Sequence, residues 1–131
     1  MALQEVVAEK QEDTRAFRAT ELLQEAVSLA PRQASLWRYL ASARASLLDL
    51  EGAVEAARRA VALDEGDPRG HYQLGLQLHR MGANREAELA LELALELGLG
   101  STGSELPHYW LYRIRSQRGD VDGALQVLAR W

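Results

Sequence analysis

Fourteen arginines against a single lysine, Lys10, make the guanidinium group the main chemical resource of this 131-residue chain. A guanidinium is planar, forked and always charged, so it grips carboxylates in a way that a lysine ammonium does not. The groups that would support catalysis are sparse. The chain has no cysteine, which removes thiolate nucleophiles, thiolate metal sites and disulfides. The histidines are His71, His79 and His108, and no two of them stand four residues apart on a helix. A metal site is therefore not expected. The serines fall in loops (Ser101, Ser104) or on helix faces (Ser35, Ser42, Ser46), with no histidine at reach to act as base. No catalytic residue and no cofactor is expected.

Three motif matches have plainer readings. Gly98-Leu99-Gly100-Ser101-Thr102-Gly103 spells G-x-G-x-x-G, but a dinucleotide fingerprint needs a strand before it. A helical run, Glu86 to Leu97, precedes it instead, so the stretch reads as an interhelix insertion with Gly98 ending the helix. Arg118-Gly119-Asp120 spells an adhesion tripeptide and reads as a turn in which Asp120 caps the following helix. Glu88, Glu92 and Glu96 form one helical stripe, read as a solvated face, because like charges four apart oppose each other.

The elements that position these groups follow from apolar spacing. Leu36, Leu40, Ala43 and Leu47 mark a helix over 35–47, and another covers Ala53 to Leu63 after a tight turn at 49–52. Asp67 is placed to cap a helix over 68–81, with Pro68 in its first turn. Helices over 85–97, 105–118 and 121–131 follow, the first pair joined at Gly82-Ala83-Asn84 and the last at Gly119-Asp120. Upstream, 17–30 forms a helix ending at Pro31, and 2–12 a weaker one anchored by Val6 and Val7.

Charge is divided unevenly among these helices. Those over 35–47, 68–81 and 105–118 carry seven arginines against one acid, Glu105. The helices over 51–65 and 85–97 carry eight acids against Arg58, Arg59 and Arg85. The overall charge of −4 and the lone lysine argue against nucleic acid as a partner. The most apolar stretch, Leu89 to Leu99, contains Glu92 and Glu96 and is too short to span a membrane. A soluble, cytoplasmic-type chain is expected.

Small residues recur with a fixed period. Ala19 and Ala26, Ala53 and Ala60, and Ala87 and Ala94 are pairs seven apart that repeat every 34 residues, with Ala124 as a later mark. Such a period signals stacked helical hairpins, each too small to bury its apolar face alone. Alanine suits the contact because a larger side chain would force the helix axes apart.

The chain resembles the tetratricopeptide repeat (TPR) family. Trp37, Leu40 and Ala41, then Leu74 and Gly75, then Leu111 and Tyr112 match its first-helix marks. Gly82 and Gly119 match its turn glycine and Pro31 its terminal proline, while Leu48 stands where a turn glycine belongs. The resemblance implies an all-α, superhelical array of antiparallel helical hairpins forming a single domain over 1–131. Its repeats run approximately 1–33 (partial), 34–67, 68–104 with the Gly-rich insertion, and 105–131 (truncated).

In that family the first helices line a concave groove. Carried over by register, the groove residues are Arg38, Ser42, Arg69, Tyr72, Leu76, His79, Arg80, Tyr109 and Arg113, none of them acidic. The resemblance implies a non-enzymatic protein-interaction module whose Arg- and Tyr-lined groove takes an acidic or amphipathic peptide. The asparagines of the family's carboxylate-clamp subtype are missing. On the last helix, Val121, Leu125, Leu128 and Trp131 form an apolar face suited to self-association into a homo-oligomer. Two alternatives remain open at this stage: a structural assembly role built on that face, and single-stranded nucleic-acid binding by the Arg and Tyr side chains.

Overall fold

The computed structural model describes residues 2–100 and 106–131, with side chains from residue 14 onward. Ser101, Thr102, Gly103, Ser104 and Glu105, and the side chains of Val6 and Val7, lie outside that description. Seven α-helices and no strand are present among the described residues. They form two compact units, Met1–Leu63 and Asp64–Trp131.

The first unit holds α1 (Ala2–Leu29), α2 (Ala34–Ser46) and α3 (Leu50–Leu63), with α2 packed against both neighbours. The sequence reading divides 2–12 from 17–30. The structure instead has one continuous 28-residue helix. No glycine or proline occurs before Pro31, so nothing in the chain breaks the helical hydrogen bonding there. Ala53 and Ala60 are completely enclosed, whereas Ala19 and Ala26 on α1 are only half-buried.

The second unit holds α4 (Pro68–Arg80), α5 (Asn84–Glu96), α6 (Pro107–Gln117) and α7 (Val121–Arg130), with consecutive helices in contact. Ala87 and Ala94 face inward with no exposed surface. At Gly75 the α4–α5 approach is so close that a Cβ would come within 2.8 Å of Leu91 Cγ. A residue without a side chain is what that crossing requires.

Each hairpin turns through a left-handed residue: Leu48 (φ 61°), Gly82 (φ 85°) and Gly119 (φ 84°). In all three the next N–H reaches back to the helix, Asp49 to Arg44, Ala83 to Leu78 and Asp120 to Arg115, each at 2.9 Å. This is the Schellman pattern that satisfies the last carbonyls of a helix. The first turn lies at 47–49 rather than 49–52, because Asp49 serves as the cap of α3: its Oδ1 accepts the Gly52 N–H at 3.1 Å. Asp120 does the same for α7, accepting from Gly123 N–H at 2.9 Å.

An arginine reinforces both capped hairpins. Arg44 donates to the Gly52 carbonyl at 2.9 Å, and Arg115 to the Gly123 carbonyl at 3.3 Å. The hairpin between them has Leu78, Ala83 and Glu86 at the corresponding positions. There, His79 Nδ1 and Asn84 Oδ1 meet at 2.9 Å and tie α4 to α5. Asp67 caps α4 as the sequence indicates, accepting the Arg69 N–H at 3.0 Å.

Candidate peptide-binding surface

Arg38 and Ser42 stand on α2 of the first unit, and the other seven sequence-predicted groove residues on α4 and α6 of the second. Helical spacing sorts each of these helices into a core stripe and a residual face. On α2 the core stripe includes Leu40, Ala41 and Ala45. Ser42 is exposed and Arg38 half-buried, its Cζ 5.7 Å from the Tyr39 ring centroid. The Arg38 Nε is buried and has no hydrogen-bond partner.

On α4, Tyr72 is not an open contact. It is 8% exposed, and its hydroxyl accepts the Leu106 N–H at 3.1 Å, tying α4 to the start of α6. Arg69 is engaged with the cap residue Asp67, at 3.0 Å. Leu76 is half-buried. Arg80 is exposed and reaches only the Oε1 of Gln77, at 3.4 Å. His71 and His108 are packed residues, as their shared register with Trp37 indicates. Trp37 Nε1 donates to the Pro31 carbonyl and His71 Nε2 to the Glu65 carbonyl, each at 2.8 Å and six residues back.

The group that the second unit does assemble centres on Trp110, a residue absent from the register-based set. Tyr109 meets its ring edge-on at 5.2 Å, His79 lies 5.6 Å from it, and the Arg113 Cζ sits 5.5 Å over it. The same Arg113 lies 5.8 Å from the Tyr109 ring, whose hydroxyl accepts from its Nη1 at 3.4 Å. The available signal was the three-residue spacing from Trp110 to Arg113, which puts the two side chains on one helix face. Register copied from a family pattern passes over it.

Arg115 of α6, and Arg118 just beyond its end, face the other way. Arg115 Nη2 donates to Glu92 Oε1 at 2.7 Å, and Arg130 of α7 joins the same carboxylate at 3.0 and 3.2 Å. Glu88 Oε1 lies 2.8 Å from Arg118 Nη1 and 3.5 Å from Arg115 Nε, close charges without an aligned hydrogen bond. Glu88 and Glu92 are thus ion-paired rather than merely solvated, because the arginines of α6 and α7 reach them across the helix contact. Arg115 and Arg118 are consequently not available as groove charge.

The hydrogen bond from Arg130 holds the Glu92 carboxyl below the usual carboxylate range, against some opposing desolvation. The Gly123 N–H does the same for Asp120. Burial, then the charge of Arg130, lowers the pKa of His108, whose ring stacks on Trp131 at 6.0 Å. Val121, Leu125 and Leu128 on α7, and Trp131 just after it, are all exposed.

Among the described residues no group of three or more His, Asp or Glu side chains is arranged to hold a metal ion. No helix among them is long and apolar enough to cross a membrane. No family model matches the chain, and no curated protein does. Solved structures do. A crystal structure of MamA superposes with a TM-score of 0.80 at 24% identity, covering 88% of this chain and 66% of that one. The Sgt2 TPR domain from Aspergillus fumigatus gives 0.74 at 21% identity, covering 91% of this chain and 76% of the domain. YrrB, described as a TPR protein with an unusual peptide-binding site, gives 0.73 at 24% identity, covering 86% and 56%. The chain thus spans just under two thirds of the MamA chain and little over half of YrrB. An all-helical chain with a 34-residue small-residue period, close α4–α5 packing at Gly75 and these superpositions has the tetratricopeptide-repeat fold.

Proposed function

We propose that this chain is a non-enzymatic protein-interaction module that binds an acidic or amphipathic peptide segment through the arginine- and aromatic-bearing face of α4 and α6 in the second unit, with Arg38 on α2 of the first unit as a separate contact. The observation that carries this reading is the state of Arg113. Its Cζ lies 5.8 and 5.5 Å from the centroids of two rings, and it has no carboxylate partner among the described residues. A positioned guanidinium without an internal acid is suited to an acid supplied by a ligand. Arg38 and Arg80 support the same reading, since neither meets a carboxylate among the described residues. The peptide-binding site described for YrrB, a protein of the same fold, is consistent with it.

An array of immobilised 15-residue peptides, probed with wild type and with an Arg38→Ala, Arg80→Ala, Arg113→Ala triple variant, tests it. Binding concentrated on Asp- and Glu-rich peptides, and lost in a variant that still melts cooperatively, is the expected result. An unchanged set of bound peptides would remove the function from these faces.

A second reading rests on the exposed α7 stripe, where Val121 is 64% and Leu125 56% exposed. In it the chain assembles through that stripe. Light scattering across a concentration series would then show mass growth that Leu125→Glu abolishes, and a constant monomer mass rejects it.

A further inference from the structure

We infer that the α4–α6 face selects a peptide in which an acidic residue is flanked by an aromatic or aliphatic one, and that Trp110 is the side chain that reads the apolar half. This deepens the reading above and rests on it. Each of the two helices couples one cation to one apolar group. Leu76 and Arg80 are four residues apart on α4, and Trp110 and Arg113 are three apart on α6, so each pair shares a helix side. His79 joins the helices, its ring 5.6 Å from that of Trp110. Leu76, His79, Tyr109 and Trp110 are all half-buried, so hydrocarbon and ring surface stays in water beside the arginines.

Arg113 makes the apolar half matter. Its Nη1 donates to the Tyr109 hydroxyl, while its Nε and Nη2 have no partner among the described residues. Those two groups carry the parallel N–H bonds that a carboxylate accepts side-on. A carboxylate seated there lies beside the indole, 5.5 Å from the Arg113 Cζ. A polar neighbour in the ligand leaves water on the ring, and the ion pair stays screened. An apolar neighbour expels that water, so ring burial and a stronger ion pair are gained together. A run of acids alone leaves the rings wet, and a purely apolar segment covers the guanidinium groups without pairing them. Each half of the face thus rejects a ligand that lacks the other half. Trp110 is also free for this use: Trp37 commits its indole N–H to the Pro31 carbonyl, and no such bond ties down Trp110 among the described residues.

The probes are two peptides of equal charge, Glu-Phe-Glu-Glu-Phe-Glu and Glu-Ser-Glu-Glu-Ser-Glu, acetylated and amidated at their ends and titrated calorimetrically into the full chain. Wild type should bind the phenylalanine peptide about tenfold more tightly, the gain expected from one aromatic contact. Trp110→Gln should bring that ratio close to one, and Arg113→Gln should weaken both peptides. A second readout does not depend on the folding of Trp110→Gln. The indole N–H resonance of Trp110, assigned by its loss in Trp110→Phe, should move with the phenylalanine peptide and much less with the serine one. Equal wild-type affinity for the two peptides, a ratio that persists in Trp110→Gln, or an unmoved Trp110 resonance overturns the inference and leaves the peptide reading standing. Absence of wild-type binding to either peptide, or undiminished binding by Arg113→Gln, removes the acidic-ligand reading itself.

Discussion

Arg113 and Arg115 are two residues apart on α6 and have opposite fates. Arg115 is buried against α5 and α7, bonded to Glu92 and to the Gly123 carbonyl, with its side chain 16% exposed. Arg113 lies over aromatic rings and meets no acid among the described residues. Two positions along a helix turn a side chain by roughly 200°, enough to move it from an intramolecular contact to a face that can receive a ligand. Counting arginines per helix therefore overstates binding charge, and the partner of each decides its role.

The difference can be broken most forcefully at Arg115. Arg115→Ala removes a partly buried guanidinium from two carboxylates and a carbonyl, and should cost about 2 kcal/mol of unfolding free energy in denaturant titrations. A smaller loss, under half that value, would show the ion-pair cluster to be incidental.

Acid should attack the same cluster and spare the other side. Glu92, Asp120 and His108 all have folded-state pKa values below their ordinary ones of 4.5, 3.8 and 6.5. Each binds fewer protons folded than unfolded, so the stability it contributes is present above those values and is lost as pH falls through the folded ones. Thermal melts from pH 7.5 to 3.5 should show a first decline setting in below about 6.5 from His108 and a second below about 4.5 from the carboxylates. Arg130→Ala should shrink the second step, since Arg130 is the largest cause of the Glu92 shift.

Leu48 tests the contrast between hairpins. It occupies the left-handed slot that Gly82 and Gly119 fill elsewhere, and its side chain is 82% exposed. A left-handed non-glycine residue costs about 1–2 kcal/mol, partly offset by the chain entropy that glycine loses on folding. Leu48→Gly should therefore raise stability by about 0.5–1 kcal/mol in the same titration. A loss would mean that the exposed leucine makes a stabilising contact of its own.

The smallest effect sharpens the contrast most. Arg113→Ala should change stability by no more than about 0.5 kcal/mol, because its partners are two rings and one long hydroxyl hydrogen bond rather than a carboxylate, while abolishing the binding of acidic peptides. Loss of stability comparable to Arg115→Ala would make Arg113 a structural residue.

Much of this fold was legible in the residues. The alanine period and the Asp and Gly punctuation located six helices to within a few residues, because small side chains mark close crossings and caps mark ends. The continuity of α1 was obscured by the weak apolar pattern before residue 17, where Val6 and Val7 are the main anchors, yet nothing there breaks a helix that lacks glycine and proline. The site was less legible. Register points to Arg38, Arg80 and Arg113 as candidates, but Trp110 lies one position off it. The engagement of Tyr72 depends on Leu106, 34 residues away. The neutralisation of Arg115 and Arg118 depends on carboxylates of another helix. Which guanidinium meets which acid is a tertiary fact that periodicity does not encode.

The arginine clasp of the α2–α3 and α6–α7 hairpins has a consequence for how such a chain can change over generations. Arg44 and Arg115 close their hairpins on main-chain oxygens, Gly52 and Gly123, rather than on side chains. Every residue type offers that oxygen, so the clasp survives substitution of its acceptor as far as the arginine bond is concerned; the glycine separately leaves room for the aspartate folded over it, whose carboxylate would have to shift to admit a Cβ. Helix pairing and helix capping are in this way inherited through different atoms of one residue. The α4–α5 hairpin, with Leu78 and Ala83 in place of the arginine and the aspartate, lacks both devices and is held by His79 and Asn84 instead.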